Sequence, residues 1–123
     1  MKKLLLIGCG HMGKALLTSW IESKKYSLSV VDPLKYNLLK NEFKKSKIKI
    51  IKDLEELEIS SKFDIIVLAV RPAELNNVLN GISKHNYKKQ TILVSIIAGK
   101  KINLLRKKLK NIRYVFRVMP NMP

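Results

Sequence analysis

The 123-residue sequence has one cysteine, Cys9, and all its apolar runs are short. A single cysteine excludes an intrachain disulfide and is typical of proteins in a reducing cytoplasm. No run approaches the roughly 18 apolar residues that a membrane-spanning helix needs. Residues 1–9 resemble a lipoprotein signal, but few apolar residues precede Gly8, and a signal core needs about 7 to 15. We therefore expect a cytoplasmic protein without a membrane anchor.

Acidic residues are also scarce. Nine Asp and Glu stand against 25 Lys and Arg, so the formal net charge is +16. This balance makes nucleic acid a candidate partner. However, 21 of the basic residues are lysine, and they lie in small groups along the whole chain, without interleaved aromatics on which bases stack. We interpret the charge as a solvated lysine surface with weak, non-specific affinity for nucleic acids; a dedicated nucleic-acid face is the alternative.

The sequence also lacks the common arrangements of catalytic residues. The sequence contains no recognisable Ser/His/Asp set, no paired carboxylates and no His and Cys at metal-ligand spacing. His85 lies in a polar, lysine-rich stretch that is typical of a solvated turn. We therefore name no catalytic residue and no metal ligand.

What the sequence does contain is an apolar run, residues 4–7, that breaks into three glycines spaced G-x-G-x-x-G. Helical periodicity resumes at once, so the pattern predicts a buried strand, a tight turn and a helix whose N-terminal N–H groups bind a pyrophosphate. Gly8 would permit the turn, Gly10 would let the backbone approach the phosphates, and Gly13 would let helix and strand pack closely. A glycine turn of purely structural importance is the alternative.

Strand and helix patterns alternate through the rest of the chain. The first helix carries an apolar stripe at Met12, Ala15, Leu16, Trp20 and Ile21, and ends at residues 23–25. The later strands are predicted at 27–31, 48–51, 63–70, 91–97 and 114–118, and the later helices at 34–45, 73–83 and 102–109, with one acidic helical turn at 53–57. We therefore predict one α/β domain, residues 1–123, with a Rossmann-like, three-layer, doubly wound parallel sheet in the order 3-2-1-4-5-6.

Ligands of such sheets bind at the carboxyl ends of the strands. Asp32 follows the second strand, 24 residues after Gly8, near the offset of about 20 residues at which an acid bonds the ribose of a dinucleotide. A carboxylate there favours the 2′-OH of NADH and repels the 2′-phosphate of NADPH, although Lys35 would soften this preference. A turn-forming Asp before Pro33 is the alternative, and both interpretations can hold at once.

The strand ends together resemble the N-terminal, cofactor-binding domain of pyrroline-5-carboxylate reductase, and the resemblance spans nearly the whole chain. The motifs are Ile7-Gly8-Cys9-Gly10-His11-Met12-Gly13-Lys14-Ala15, Ala69-Val70-Arg71-Pro72, Val94-Ser95-Ile96-Ile97-Ala98-Gly99 and Arg117-Val118-Met119-Pro120-Asn121-Met122-Pro123. The first motif also fits many related dehydrogenases, whereas the last two are more selective.

The resemblance implies hydride transfer from NADPH or NADH to the C=N carbon of 1-pyrroline-5-carboxylate, which gives L-proline. It assigns cofactor binding to Gly8, Cys9, Gly10, His11, Met12, Gly13, Asp32, Ala69, Val70, Arg71, Pro72, Ala98 and Gly99. It places Met119, Pro120 and Asn121 on the substrate side. The family also has a helical dimerisation domain, which this sequence lacks, so we expect the isolated chain to be inactive and to need a separate helical domain or chain.

Three positions depart from the family pattern. His11 stands where the family usually has asparagine, which keeps a side-chain donor near the phosphates; a solvent-facing turn residue is the alternative. Arg71 replaces a usual lysine and keeps its charge. Met122 replaces a usual threonine, which removes a hydroxyl near the expected substrate pocket.

Three hypotheses follow. The chain is the cofactor half of a reductase, a dinucleotide-binding module or remnant without catalysis, or a basic nucleic-acid-binding protein on the same scaffold. Activity on complementation would indicate the first, and cofactor binding without turnover the second. Affinity that depends steeply on salt but keeps sequence preference at physiological ionic strength would indicate the third.

Overall fold

The computed structural model describes residues 1–57, 63–97, 99 and 102–119. The strands are β1 (Lys2–Ile7), β2 (Tyr26–Val31), β3 (Lys49–Ile51), β4 (Ile65–Leu68), β5 (Ile92–Ser95) and β6 (Tyr114–Arg117). The helices are α1 (His11–Ser23), α2 (Tyr36–Glu42), α3 (Leu75–Ser83) and α4 (Ile102–Lys108). Single-turn 3-10 helices lie at Leu54–Glu56 and Pro72–Glu74.

The six strands form one sheet in the order β3-β2-β1-β4-β5-β6, and every neighbouring pair is parallel. This confirms the predicted fold class and strand order. The central strand β1 is apolar on both faces because both faces are covered: Leu4, Leu5, Leu6 and Ile7 are each at most 2% exposed.

Two hydrophobic layers enclose the sheet. On one face, which we call the α1 face, Leu4, Leu6 and Val30 pack against Leu17 of α1 and Leu39 of α2. On the opposite face, which we call the α3 face, the cluster includes Leu5, Ile7, Ile66, Leu75, Leu79 and Leu105. The right-handed crossovers of a parallel sheet place α1 and α2 on one side and α3 and α4 on the other.

The ends of α1 lie where the sequence indicates them. Gly10 is the N-cap in an extended conformation, and Lys24 ends the helix in the left-handed region, with its N–H donating to the Ile21 carbonyl. The predicted apolar stripe is incomplete, because it omits Leu17, which with Gly13 is fully buried. Of the predicted residues, the half-buried Trp20 and Ile21 do pack against the core of the sheet.

At the amino ends of the strands, Asp64 joins three elements. Its Oδ2 accepts a hydrogen bond from the Lys3 N–H at 2.8 Å, and its Oδ1 accepts one from Lys88 Nζ at 2.5 Å. The Lys88 ammonium and the Lys3 N–H lower the pKa of the Asp64 carboxyl below its ordinary value. This carboxylate therefore stabilises the fold at the end of the sheet opposite the glycine turn.

Candidate functional site

Gly8 makes the turn that follows β1. Its φ is +91°, and a Cβ there would lie 2.8 Å from the backbone N of Val70 and 2.9 Å from the carbonyl carbon of Ala69. Its N–H donates to the Val31 carbonyl at 2.8 Å, so the turn is tied to β2 as well. Both the conformation and the contact with the β4 end exclude a side chain at this position.

Gly13 and Gly10 meet different requirements. A Cβ on Gly13 would lie 2.8 Å from the Gly8 carbonyl oxygen, so its absence lets α1 pack directly on the turn. A Cβ on Gly10 would meet nothing within 4 Å. The space above Gly10 is therefore free of protein, as a phosphate approaching the backbone requires.

The first turn of α1 presents its backbone donors to this space. Lys14 N–H donates to the Gly10 carbonyl at 2.9 Å and closes the first turn. The N–H groups of His11, Met12 and Gly13 precede it and have no acceptor within the helix. Gly10 supplies no side-chain cap, so these donors and the positive end of the helix dipole are available to an anion.

The Asp32 carboxylate holds the turn in place. It is 9% exposed, and its Oδ2 accepts a hydrogen bond from the Cys9 N–H at 2.8 Å. Its Oδ1 accepts bonds from the N–H groups of Leu34 at 3.0 Å and Lys35 at 3.1 Å. The second of the two interpretations of Asp32, a turn-forming residue, therefore describes its contacts. Oδ1 already accepts two bonds, so the remaining acceptor position for a further donor is on Oδ2.

A groove of about 690 Å³ opens beside the turn, a volume typical of small-molecule sites. Its walls come from the carboxyl ends of β1, β2 and β4, from the first 3-10 turn and from α3. It is lined by Ile7, Gly8, Val31, Asp32, Pro33, Leu34, Asp53, Leu54, Glu55, Val70, Glu74, Asn77, Val78, Asn80, Gly81, Lys84 and His85. A smaller hollow of about 460 Å³ lies beside β2 and β3 and contains none of the predicted site residues.

The residue between the first two glycines, Cys9, is 1% exposed, so it is a packed residue and only its backbone faces the turn. Burial, with a smaller effect from the nearby Asp32 carboxylate, raises the pKa of the Cys9 thiol to about 11. A thiol in this state is a poor nucleophile.

The predicted residues after β4 lie at one end of the groove. Val70 lines it, and the N–H of Ala69 donates to the Ile7 carbonyl at 2.8 Å, which extends the ladder to the turn. Arg71 is exposed, and its guanidinium donates to Glu74 at 2.7 Å. Pro72 begins the 3-10 turn that leads into α3.

The predicted residues after β5 and β6 do not line this groove. Gly99 is exposed with a φ of +76°, and Met119 is exposed, its Sδ 3.6 Å from the Arg117 guanidinium. Ala98, Pro120 and Asn121 lie outside the described residues. His11 is exposed at the start of α1, and Met12 beside it is half-buried.

Sequence reasoning missed several groove residues, above all Asn77, Lys84 and His85 on or just after α3 and Glu55 on the first 3-10 turn. Instead of projecting freely into solvent, His85 is half-buried, and its carbonyl accepts a hydrogen bond from the Asn111 side chain. The amphipathic pattern of the sequence indicates that α3 has a polar side. It does not indicate that this side faces the groove.

In the described part of the chain, no group of three or more His, Cys, Asp or Glu is placed to hold a metal ion. None of its helices combines the length and apolar character needed to cross a bilayer.

Comparison with known proteins adds the family. The chain is 34% identical to a pyrroline-5-carboxylate reductase of Escherichia coli and 29% identical to one of Schizosaccharomyces pombe, with 99% and 98% of this chain covered. It superposes on the structure of a pyrroline-5-carboxylate reductase from Coxiella burnetii with a TM-score of 0.79 at 22% identity, over 98% of this chain and 44% of that one. The predicted resemblance to this reductase, an oxidoreductase, is thereby confirmed.

The chain spans less than half the length of these curated relatives, 45% of the Escherichia coli protein and 48% of the Schizosaccharomyces pombe protein. Residues 3–99, from β1 to the end of the β5 motif, match the family described as "NADP oxidoreductase coenzyme F420-dependent". Residues 3–99 include the glycine turn and all the residues that line the groove. The chain therefore belongs to this family of nicotinamide-dinucleotide-binding oxidoreductases.

Proposed function

We propose that this chain is the cofactor-binding half of a pyrroline-5-carboxylate reductase and that residues 1–123 form one dinucleotide-binding domain. The observation that carries the proposal is the free space above Gly10, next to the unbonded N–H groups of the first turn of α1. A pyrophosphate fits there because the donors converge and no Cβ occupies the space.

A reduced nicotinamide supplies, when bound, the hydride that converts 1-pyrroline-5-carboxylate to L-proline. The chain's own contribution is binding and orientation. The first turn of α1 holds the diphosphate, and the groove beside Gly8 and Asp32 takes the adenosine end. The residues after β5 and β6, among them Gly99 and Met119, lie towards the reacting end.

We propose NADH as the preferred cofactor. Asp32, Asp53, Glu55 and Glu74 all line the groove, although acids are scarce in a chain of net charge +16. Glu74 is paired with Arg71, so the charges of Asp32, Asp53 and Glu55 are the ones that disfavour a 2′-phosphate. Lys84 is the lysine that opposes them among the lining residues. The remaining acceptor capacity of the Asp32 carboxylate suits a ribose hydroxyl.

The relatives extend beyond the part that this chain matches, and we propose that this unmatched part supplies most of the substrate contacts. We therefore propose that the chain alone binds cofactor but does not turn over substrate, and that a helical domain or chain completes it. The buried, unreactive Cys9 suits a reducing cytoplasm, which we propose as its location.

Complementation tests this proposal. The chain is mixed or co-expressed with the unmatched half of the Escherichia coli relative, and NADH oxidation is followed with 1-pyrroline-5-carboxylate as substrate. Activity only in the presence of both parts is expected. Dinucleotide binding without turnover under complementation would indicate a non-catalytic binding module instead. Activity of the chain alone would contradict the proposal that a second part is needed for turnover.

A further inference from the structure

The outer half of the α1 face is apolar and open. In register across β4, β5 and β6, Ile65 lies beside Ile92 and Tyr114, and Val67 lies beside Val94 and Phe116. Alternation along the strands adds a third row. We call this surface the open face; it consists of Ile65, Val67, Ala69, Ile92, Val94, Ile96, Tyr114, Phe116 and Val118.

Exposure rises steadily towards the edge of the sheet. Val67 on β4 is 5% exposed, Val94 on β5 is half-buried, and Phe116 on β6 is 49% exposed. On β6 the flanking Tyr114 and Val118 are 42% and 46% exposed. The cover that α1 provides therefore ends between β4 and β6.

The topology explains why the described elements leave this surface uncovered. On one side of β1 lie β2 and β3, and the helices that connect these strands, α1 and α2, cover the α1 face. On the other side lie β4, β5 and β6, and their helices, α3 and α4, cover the α3 face. Right-handed crossovers thus cover opposite faces of the two halves. Parallel sheets are covered on both faces, and large exposed apolar patches mark interaction sites.

We propose that the open face is the docking surface for an amphipathic helix from the half of the reductase that this chain does not match. This inference rests on the proposed function, from which it takes the partner. The relatives have more than this chain's own length outside the matched part, which is enough for such a helix. Helices are the elements that cover parallel sheets, and one helix spans the three rows.

Charge selects this occupant over a second copy of the chain. Two copies meeting at the open face would each bring a net charge of +16, and they would repel one another. On the open face itself β6 contributes only the uncharged Tyr114 and Phe116, so the positive charge that a partner meets comes from the surrounding surface. The complementary helix therefore carries apolar residues on one side and acidic residues at the flanks.

The test uses the Phe116→Asp variant, with Leu38→Asp on α2 as the matched control, since Leu38 is exposed and lies away from β6. Each chain is co-purified with the unmatched half of the Escherichia coli relative, and the affinity is measured. We expect the wild-type and Leu38→Asp chains to form the complex and Phe116→Asp to weaken it by about tenfold or more. Hydrogen exchange of the β6 amides is expected to slow in the complex.

Absence of a complex, or a complex that Phe116→Asp leaves intact, would overturn the proposal. A homodimer of the chain alone that Phe116→Asp dissociates would assign the face to a second copy instead. NADH titration of each chain separates this inference from the proposed function: normal cofactor binding without docking refutes the docking surface alone, whereas docking without cofactor binding refutes the proposed function.

Discussion

The Asp32 carboxylate accepts a hydrogen bond from the Cys9 N–H at 2.8 Å, which joins the end of β2 to the glycine turn after β1. The same side chain accepts two more bonds from the backbone that follows it. One carboxylate therefore fixes the position of the turn and also lines the groove. Substitution at this position is expected to affect both folding and cofactor choice.

Asp32→Ser tests that double role. We expect it to weaken NADH binding and to improve NADPH binding relative to NADH, because in the proposed complex it removes the negative charge that faces the 2′ position. A single hydroxyl cannot accept all three backbone bonds, so the variant should also lose about 1 to 3 kcal/mol of unfolding free energy. Calorimetric titration with both cofactors and urea unfolding measure the two effects. An unchanged ratio of the two affinities would contradict the ribose assignment.

Gly8→Ala tests the structural requirement at the turn. The positive φ and the overlap with the Val70 and Ala69 backbone should destabilise the fold by about 2 to 4 kcal/mol. Thermal unfolding should show a fall in Tm of roughly 10 °C. A Tm equal to that of the wild type would show that the turn does not have this geometry.

Cys9 is expected to be an unreactive thiol. With a pKa raised to about 11 by burial, it should react very slowly with a disulfide reagent in the native protein at about pH 8. In guanidinium chloride, where the thiol regains its ordinary pKa, the same reagent should react quickly. Equal rates in the two states would contradict the burial of this side chain.

Asp64→Asn tests the hydrogen bonds that the Asp64 carboxylate accepts from Lys3 and Lys88 at the amino ends of the strands. Because folding lowers the pKa of this carboxyl below its ordinary value of 3.8, its stabilisation is present above that pH and is lost as the pH falls through the lower folded value. We expect a loss of at most about 1 kcal/mol at pH 7, since the ion pair is partly exposed. Urea unfolding should show that the difference from wild type narrows below about pH 4. Glu22→Gln, an exposed change on α1, is the control, and a difference from wild type that does not vary with pH would contradict the account.

Much of this fold was predictable because its signals are local. The strand order follows from alternating patterns and crossover handedness. The steric requirements at Gly8 and Gly13 and the open space at Gly10 follow from the glycine spacing around a strand-to-helix turn. The apolar side of α1 was harder, since Leu16 and Leu17 are both apolar. Leu17 is the one that faces the sheet because it lies one turn after Gly13, where the helix touches the turn.

The rest of the groove depends on contacts between residues that are far apart in the sequence. α3 reaches the groove because Leu75 and Leu79 pack in the same core as Leu5 and Ile7, and no local pattern reports that contact. The bond from the Cys9 N–H to Asp32 likewise depends on how β1 and β2 pair, whereas the bonds from Leu34 and Lys35 are local to the turn that the Asp-Pro pattern predicts. The open face at β6 could not be predicted either. Its alternating apolar residues predict a buried face, but no described element covers them.

The central claim is that a nicotinamide dinucleotide binds over Gly10. Calorimetric titration of NADH into the wild-type chain and into Gly10→Val tests it most directly, because a Cβ at this position meets no protein atom within 4 Å. The variant should therefore fold, with a loss of only about 1 kcal/mol from the poorer helix N-cap. We predict saturable binding to the wild type and a loss of affinity of at least about tenfold in the variant. Absence of binding to the wild type with either NADH or NADPH, or equal binding by Gly10→Val, would contradict the claim.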